Sequence, residues 1–176
     1  MQVFTLSSTA AGLYWTRDAL LRDVFKNSEI IKSKNFKPSA EIKNQIEKEL
    51  GYTLPKDEYT FYYGQTGSNI DGYMIIDEQC GQHLPITFAN VLTPGGIVTR
   101  HELMVYREKY GEEVKNKKFR NQFIGKSSQD PIRLGKDIIA VSGATISSRA
   151  LSIGTRRAIV LTNALLLQNS TPSHLF

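Results

Sequence analysis

Cysteine is nearly absent from this sequence. Cys80 stands alone among 176 residues, which excludes an internal disulfide framework and a zinc site built from several thiolates. Long apolar runs are missing too: no uninterrupted stretch reaches the ~18 residues of a membrane span. Positive charge is not concentrated. The 22 lysines and arginines face 17 acids, for a formal net charge of +5. They scatter from Arg17 to Arg157 without a long block, which argues against a nucleic-acid footprint.

What remains is an ordinary globular mixture, 40% hydrophobic and 22% charged. A chain of this length buries ~70% of its unfolded surface and needs no covalent staples. The opening MQVFTLSSTAAG has no basic or fully apolar segment but contains small residues around Ser8-Thr9-Ala10. Residues 1–15 therefore read as a signal remnant or flexible N-terminus, and 16–170 as a single domain.

Periodicity places the elements. Thr16 caps a helix running to Phe25, with Ala19, Leu20 and Val24 on one face. Ser39 starts a second helix after Pro38, in which Ile42, Ile46 and Leu50 recur at spacing four and Gly51 marks the stop. Strand signals follow at Tyr59–Tyr63, Ile70–Ile76, Leu84–Val91 and Ile97–Tyr106. Turn residues separate them at 64–69 and at Thr93-Pro94-Gly95-Gly96. Lys117–Phe123 reads as one or two helical turns. The last helix starts near Thr145 and runs to about Leu167, with Ile146, Ala150, Ile153, Ala158, Leu161 and Leu165 as its apolar stripe. Gly154, inside it, is either tolerated at some cost or lets something approach closely. The class is α+β: an antiparallel sheet flanked by helices, with a long C-terminal helix starting at Ser142-Gly143-Ala144-Thr145.

Several familiar constellations fail. Gly125-Lys126-Ser127 resembles the end of a phosphate loop, but Arg120 stands where the motif needs glycine. Val141-Ser142-Gly143 lacks the flanking glycines of a nucleophile elbow, since Ala140 and Ala144 occupy those places. Cys80 and His83 have metal-like spacing without further ligands. Glu108, Glu112 and Glu113 lie among Arg107, Lys109 and Lys115, which reads as a salt-bridged loop before it reads as a hydrolase pair.

One stretch is not generic. Val141-Ser-Gly-Ala-Thr-Ile-Ser-Ser-Arg149 puts small hydroxyl residues at the mouth of the strongest helix. Gly143 permits a tight path and Ala144 leaves room. The first turn offers unpaired N–H groups and the positive end of the helix dipole, which suits a phosphate. Ser142, Thr145, Ser147 and Ser148 add hydroxyls, and Arg149 adds a counter-charge. A well-capped helix start accounts equally well for the residues alone.

Ser-Gly-Ala-Thr followed by x-Ser resembles the attachment signature of the FMN-binding domain family. Its members include the G subunit of the Rnf complex, the C subunit of the sodium-pumping NADH:quinone reductase and the N-terminal part of the NosR regulators. The resemblance extends to Gln122-Phe123-Ile124-Gly125-Lys126, Asp130-Pro131 and Asp137-Ile138. Upstream it takes in Tyr106-Arg107-Glu108 with Gly111 and Glu113. It covers residues from about 30 to about 165. It implies FMN as cofactor, joined through its phosphate to Thr145 by a flavin transferase. It implies electron transfer between membrane-associated redox proteins, on the outer face of the bacterial cytoplasmic membrane, with export or anchoring by a segment outside this sequence. Ser142, Gly143, Ala144, Ile146, Ser147, Ser148 and Arg149 then surround the phosphate. Phe123, Tyr106, Leu84 and Tyr110 are candidate flavin walls, and Lys126 and Glu108 candidate polar contacts. Metal and nucleic acid are not expected as partners. An electron carrier fits better than an enzyme with its own substrate. A flavin reductase would need a proton donor from His83, His101 or the Glu108 cluster.

One position departs from the signature. The family usually carries an acid three residues before the serine, where this sequence has Ile139. That favours the alternative of a non-covalent FMN-binding or sensory module.

Overall fold

A computed structural model describes residues 12–168. Of the segment 1–15 read as a signal remnant or flexible N-terminus, residues 1–11 lie outside the described residues, as does the end of the domain at 169–170, while Leu13 bridges Val105 and the Tyr14 N–H donates to the Met104 carbonyl at 2.8 Å. Helix α1 spans Arg17–Val24, and the Thr16 hydroxyl accepts the Ala19 N–H at 3.3 Å. Helix α2 spans Ala40–Leu50. Ser39 caps it at the Ile42 N–H, and Gly51 ends it in the left-handed region at φ 81°. Both helices start at a hydroxyl cap, and α2 also stops where its glycine dictates.

Five strands form one antiparallel meander in chain order: β1 Ile30–Phe36, β2 Tyr59–Thr66, β3 Asn69–Cys80, β4 Pro85–Leu92 and β5 Val98–Val105. β1 was not expected from the sequence. Its residues are mostly exposed, so IIKSKNF lacks the buried alternation that announces a strand, and it pairs only with β2 as a sheet edge. The β2–β3 turn is also tighter than expected, because β2 continues to Thr66 and β3 starts at Asn69.

Neighbouring residues on a strand point to opposite faces. On β3, Tyr73 and Ile75 join the larger core while Met74 joins the smaller one. On β4, Phe88 and Ala89 divide in the same way. The smaller core packs α1, through Leu20, against Met74, Ala89, Val91 and Met104. The larger core lies on the other face, under α2 and the long helix.

That helix, α4, spans Thr145–Thr162 and continues as a π-helical segment, Asn163–Leu167. By length and composition it would suffice to cross a membrane, but it is largely buried against the sheet. Its expected apolar stripe holds in part. Ala150, Ala158, Leu161 and Leu165 are buried, whereas Ile146 is 49% exposed. Gly154 is where β4 comes close: a Cβ there would stand 2.0 Å from Phe88 Cζ. Arg157, fully buried, ties α4 to β3. Its Nε donates to Asp77 Oδ2 at 2.7 Å, and its terminal nitrogens donate to Gln79 Oε1 at 3.0 Å and the Glu78 carbonyl at 2.9 Å. Between β5 and α4 come the 3-10 turn Glu112–Lys115, the short helix α3 Lys117–Arg120, the 3-10 turn Asn121–Phe123 and a long loop, 124–144.

Candidate functional site

The loop into α4 is held by charge. The Lys126 ammonium lies 2.9 Å from Asp137 and 3.3 Å from Asp130. Asp130 also accepts the Ser127 N–H, and Asp137 accepts the N–H groups of Ile132 and Arg133. The hydrogen bond from Lys126 to Asp137 raises the ammonium pKa against the opposing effect of burial. Burial pushes Asp137 up, but the Arg133 N–H and Lys126 outweigh it and hold that carboxyl below its ordinary range. The structure therefore does not bring Lys126 to the Thr145 groove. It is a loop clamp.

At the end of this loop Gly143 takes φ 78°, with open space where a side chain would stand. Ala144 occupies the cap position of α4 and provides no side-chain hydrogen bond. The first helical bond runs from the Ser148 N–H to the Ala144 carbonyl, 2.8 Å. The N–H groups of Thr145, Ile146 and Ser147 thus have no acceptor within the helix and no capping side chain. Helices α1 and α2 are capped by hydroxyls. In α4 the nearby hydroxyls are committed elsewhere: Ser147 Oγ lies 2.8 Å from the Tyr106 hydroxyl, and Ser148 Oγ accepts the Val141 N–H at 3.1 Å. Ser142 and Thr145 remain exposed. Arg149, one turn beyond Thr145 on the same helix face, is exposed with no hydrogen bond or ion pair to the described residues.

A groove of about 240 Å³ opens at this helix start, lined by Gln82, Tyr110, Gly111 and residues 143–147. Tyr106 shapes it from behind. It is buried, and its hydroxyl donates to the Tyr110 carbonyl as well as meeting Ser147. Gly111, at φ 88°, has room for no Cβ: one would come 2.7 Å from both the Tyr106 hydroxyl and Ser147 Oγ. Glu108 fixes the opposite lip. Its Oε1 accepts the N–H groups of His83 at 2.6 Å and Leu84 at 2.9 Å. Desolvation raises the Glu108 carboxyl, but these N–H groups prevail and hold its pKa below the ordinary value.

The expected site residues thus divide. Ser142, Gly143, Ala144, Thr145, Ile146 and Arg149 are presented together at the groove or beside it. Tyr106, Glu108, Ser147 and Ser148 stand around it as supports. Leu84 is 42% exposed in the turn that Glu108 holds. Phe123 is not a groove wall. It is fully buried, 4.7 Å from the His101 ring and edge-on to Phe119. Gln82 and Gly111 line the groove without having been expected as site residues; Gly111 belongs to the segment that resembles the family, whereas Gln82 carries no sequence signal that would have found it. A second groove, of about 620 Å³, is bordered by Phe119, Gln122, Ile139, Ala140 and Val141 and shares no lining residue with the first.

The arrangement fits a phosphorylated ring cofactor. An uncapped helix start and a free guanidinium suit its phosphate, and an exposed aromatic beside the groove suits its ring. A family model described as the FMN-binding domain matches residues 66–160. That stretch runs from the end of β2 through most of α4. Among solved structures the chain is similar to the crystal structure of Shewanella oneidensis NqrC, with a TM-score of 0.54 and 13% sequence identity. The match covers 77% of this chain and 80% of that one. No curated protein matches the chain.

Proposed function

The chain belongs to the FMN-binding domain family, with FMN as its cofactor, and on that premise we propose that it is an electron carrier whose FMN is esterified to Thr145. The observation that carries this reading is the start of α4, where an exposed threonine stands at three N–H groups that no cap serves. Those N–H groups and Arg149 would hold the phosphate, and Gln82, Tyr110 and Gly111, which line the groove, would border the ring. Bound FMN supplies one- and two-electron transfer, and the protein tunes and orients it. A covalent tether gives the cofactor a high effective concentration, so the shallow groove need not enclose it.

Attachment requires a flavin transferase and a flavin adenine dinucleotide donor. Thr145 Oγ forms the bond to phosphorus, the pyrophosphate bond breaks, AMP leaves and the hydroxyl proton is lost. The family resemblance supports membrane-associated redox proteins as partners and a site of action outside the cytoplasm. The test is intact mass after co-expression with a flavin transferase. The chain should gain FMN less one water, and Thr145→Ala should gain nothing. An adduct that survives in Thr145→Ala would move the attachment to Ser142 or another hydroxyl. A second reading, non-covalent FMN, is favoured by Ile139, an exposed apolar side chain where the signature has an acid. It predicts flavin that leaves the chain on denaturation.

A further inference from the structure

Gln122 does not line the groove at Thr145, yet its side chain holds the segment that leads there. Its carboxamide closes two hydrogen bonds on one residue: Oε1 accepts the Ile139 N–H at 2.8 Å, and Nε2 donates to the Ile139 carbonyl at 3.1 Å. The Ile139 side chain cannot do this holding, since it is 78% exposed. Gln122 is itself well founded. It sits in the 3-10 turn Asn121–Phe123, and Phe123 beside it is fully buried against His101. On the far side of Ile139, the Val141 N–H donates to Ser148 in the first turns of α4. The two bonds from Gln122 and the one from Ser148 thus bracket Ile139–Val141. Ser142 and Gly143 are left exposed immediately before the helix.

We propose that Gln122 is a positioning residue, fixing the Ile139–Val141 backbone so that the enzyme that modifies Thr145 meets an ordered acceptor segment. This rests on the reading of Thr145 as the attachment point. An acceptor already held in one conformation does not have to be ordered at the moment of reaction. The clamp also accounts for an Ile at a position usually acidic. The segment is ordered through its main chain, so its presentation does not depend on the side chain at 139.

Gln122→Met keeps the side-chain length and removes both bonds. Gln122→Glu keeps an acceptor for the Ile139 N–H and loses the donor. With flavin transferase and flavin adenine dinucleotide, the attachment rate followed by intact mass should fall about ten-fold in Gln122→Met, the size expected from losing one or two hydrogen bonds. It should recover in part in Gln122→Glu. Ser39→Ala, which uncaps α2 away from the site, is the destabilised control and should be modified at the wild-type rate. In the chain without flavin, amide exchange at Ile139 should quicken in Gln122→Met while exchange in β3 and β4 stays unchanged. Equal attachment rates in wild type and Gln122→Met, or an equal slowing in Ser39→Ala, would overturn the proposal while leaving Thr145 as acceptor. A wild-type chain that gains no adduct overturns the attachment reading, and this proposal with it.

Discussion

Mild acid should destabilise this protein through one residue, His101. The side chain is 2% exposed on β5, opposite Asn90 of β4. Its ring lies between Phe88, at 5.7 Å and 11°, and Phe123, at 4.7 Å and 30°. Neither ring nitrogen has a hydrogen-bond partner of good geometry among the described residues. Burial first, and the Arg120 cation second, push its pKa down from 6.5 to about 3. The unfolded chain therefore takes up a proton near pH 6.5, and the folded chain only near pH 3. Between those values the unfolded state binds more protons, so stability is full above pH 6.5 and falls as the pH drops. At ~1.4 kcal/mol per pH unit the whole loss is on the order of 5 kcal/mol, and roughly half of it is gone by pH 4.5. That is a large share of the ~5–15 kcal/mol that holds a domain together. The assay is urea unfolding at pH steps from 7.5 to 4.5, read as the difference between the wild type and a His101 variant, because the depressed carboxyls of Glu108, Glu112, Asp57, Asp130 and Asp137 begin to cost stability at the bottom of this window in both proteins. His101→Phe, which keeps a ring between the two phenylalanines, should flatten the profile. A wild-type profile already flat across this window, or the same slope in both proteins, would refute the reasoning.

Gly154→Ala should destabilise, although alanine is the better helix former by ~1 kcal/mol. Its Cβ would meet Phe88 Cζ at 2.0 Å, and overpacking of this kind costs about 1–3 kcal/mol, read as a lower melting temperature. Lys126→Met should lower stability by about 1–3 kcal/mol, because Asp137 and Asp130 lose a charged hydrogen-bond donor. Its flavin midpoint potential, measured by spectroelectrochemistry, should match the wild type, since the ammonium is held in the loop. A midpoint lowered by tens of millivolts would place Lys126 beside the ring after all.

The sequence was most legible where one local rule decides the structure. Thr16, Ser39 and Gly51 each terminate a helix by their own backbone or hydroxyl chemistry, so the start of α1 and both ends of α2 could be read from the residues alone. The strands with a buried face were legible too, because Tyr59–Tyr63 and Pro85–Leu92 carry β-branched and aromatic residues into a core. β1 was not, because an edge strand owes its place to main-chain pairing with β2 and buries little of its own. The candidate site was legible as a segment and not as a set of contacts. Ser142–Arg149 is continuous in sequence, so finding it needs no tertiary knowledge. Phe123 and Lys126 lie in a segment that resembles the family, but adjacency in sequence does not say which way a side chain turns. Phe123 turned into the core and Lys126 toward two aspartates.

The same division bears on how the site works. Side chains that looked like ligands by type are consumed in building the frame. Glu108 holds the His83–Leu84 turn, Tyr106 joins Tyr110 to Ser147, and Ser148 fastens Val141. Each of these groups is satisfied before a cofactor arrives, and replacing one of its bonds with a bond to FMN would gain little. The groups left over are the hydroxyls of Ser142 and Thr145, the first N–H groups of α4 and the Arg149 guanidinium. All are donors, and all gather at one helix end. A surplus of donors with no acceptor among the described residues is what a phosphate requires, and Thr145 stands at its centre. The proposed attachment at Thr145 rests on which groups the fold has left unpaired, with Ser142 the nearest competitor that the Thr145→Ala mass measurement separates from it.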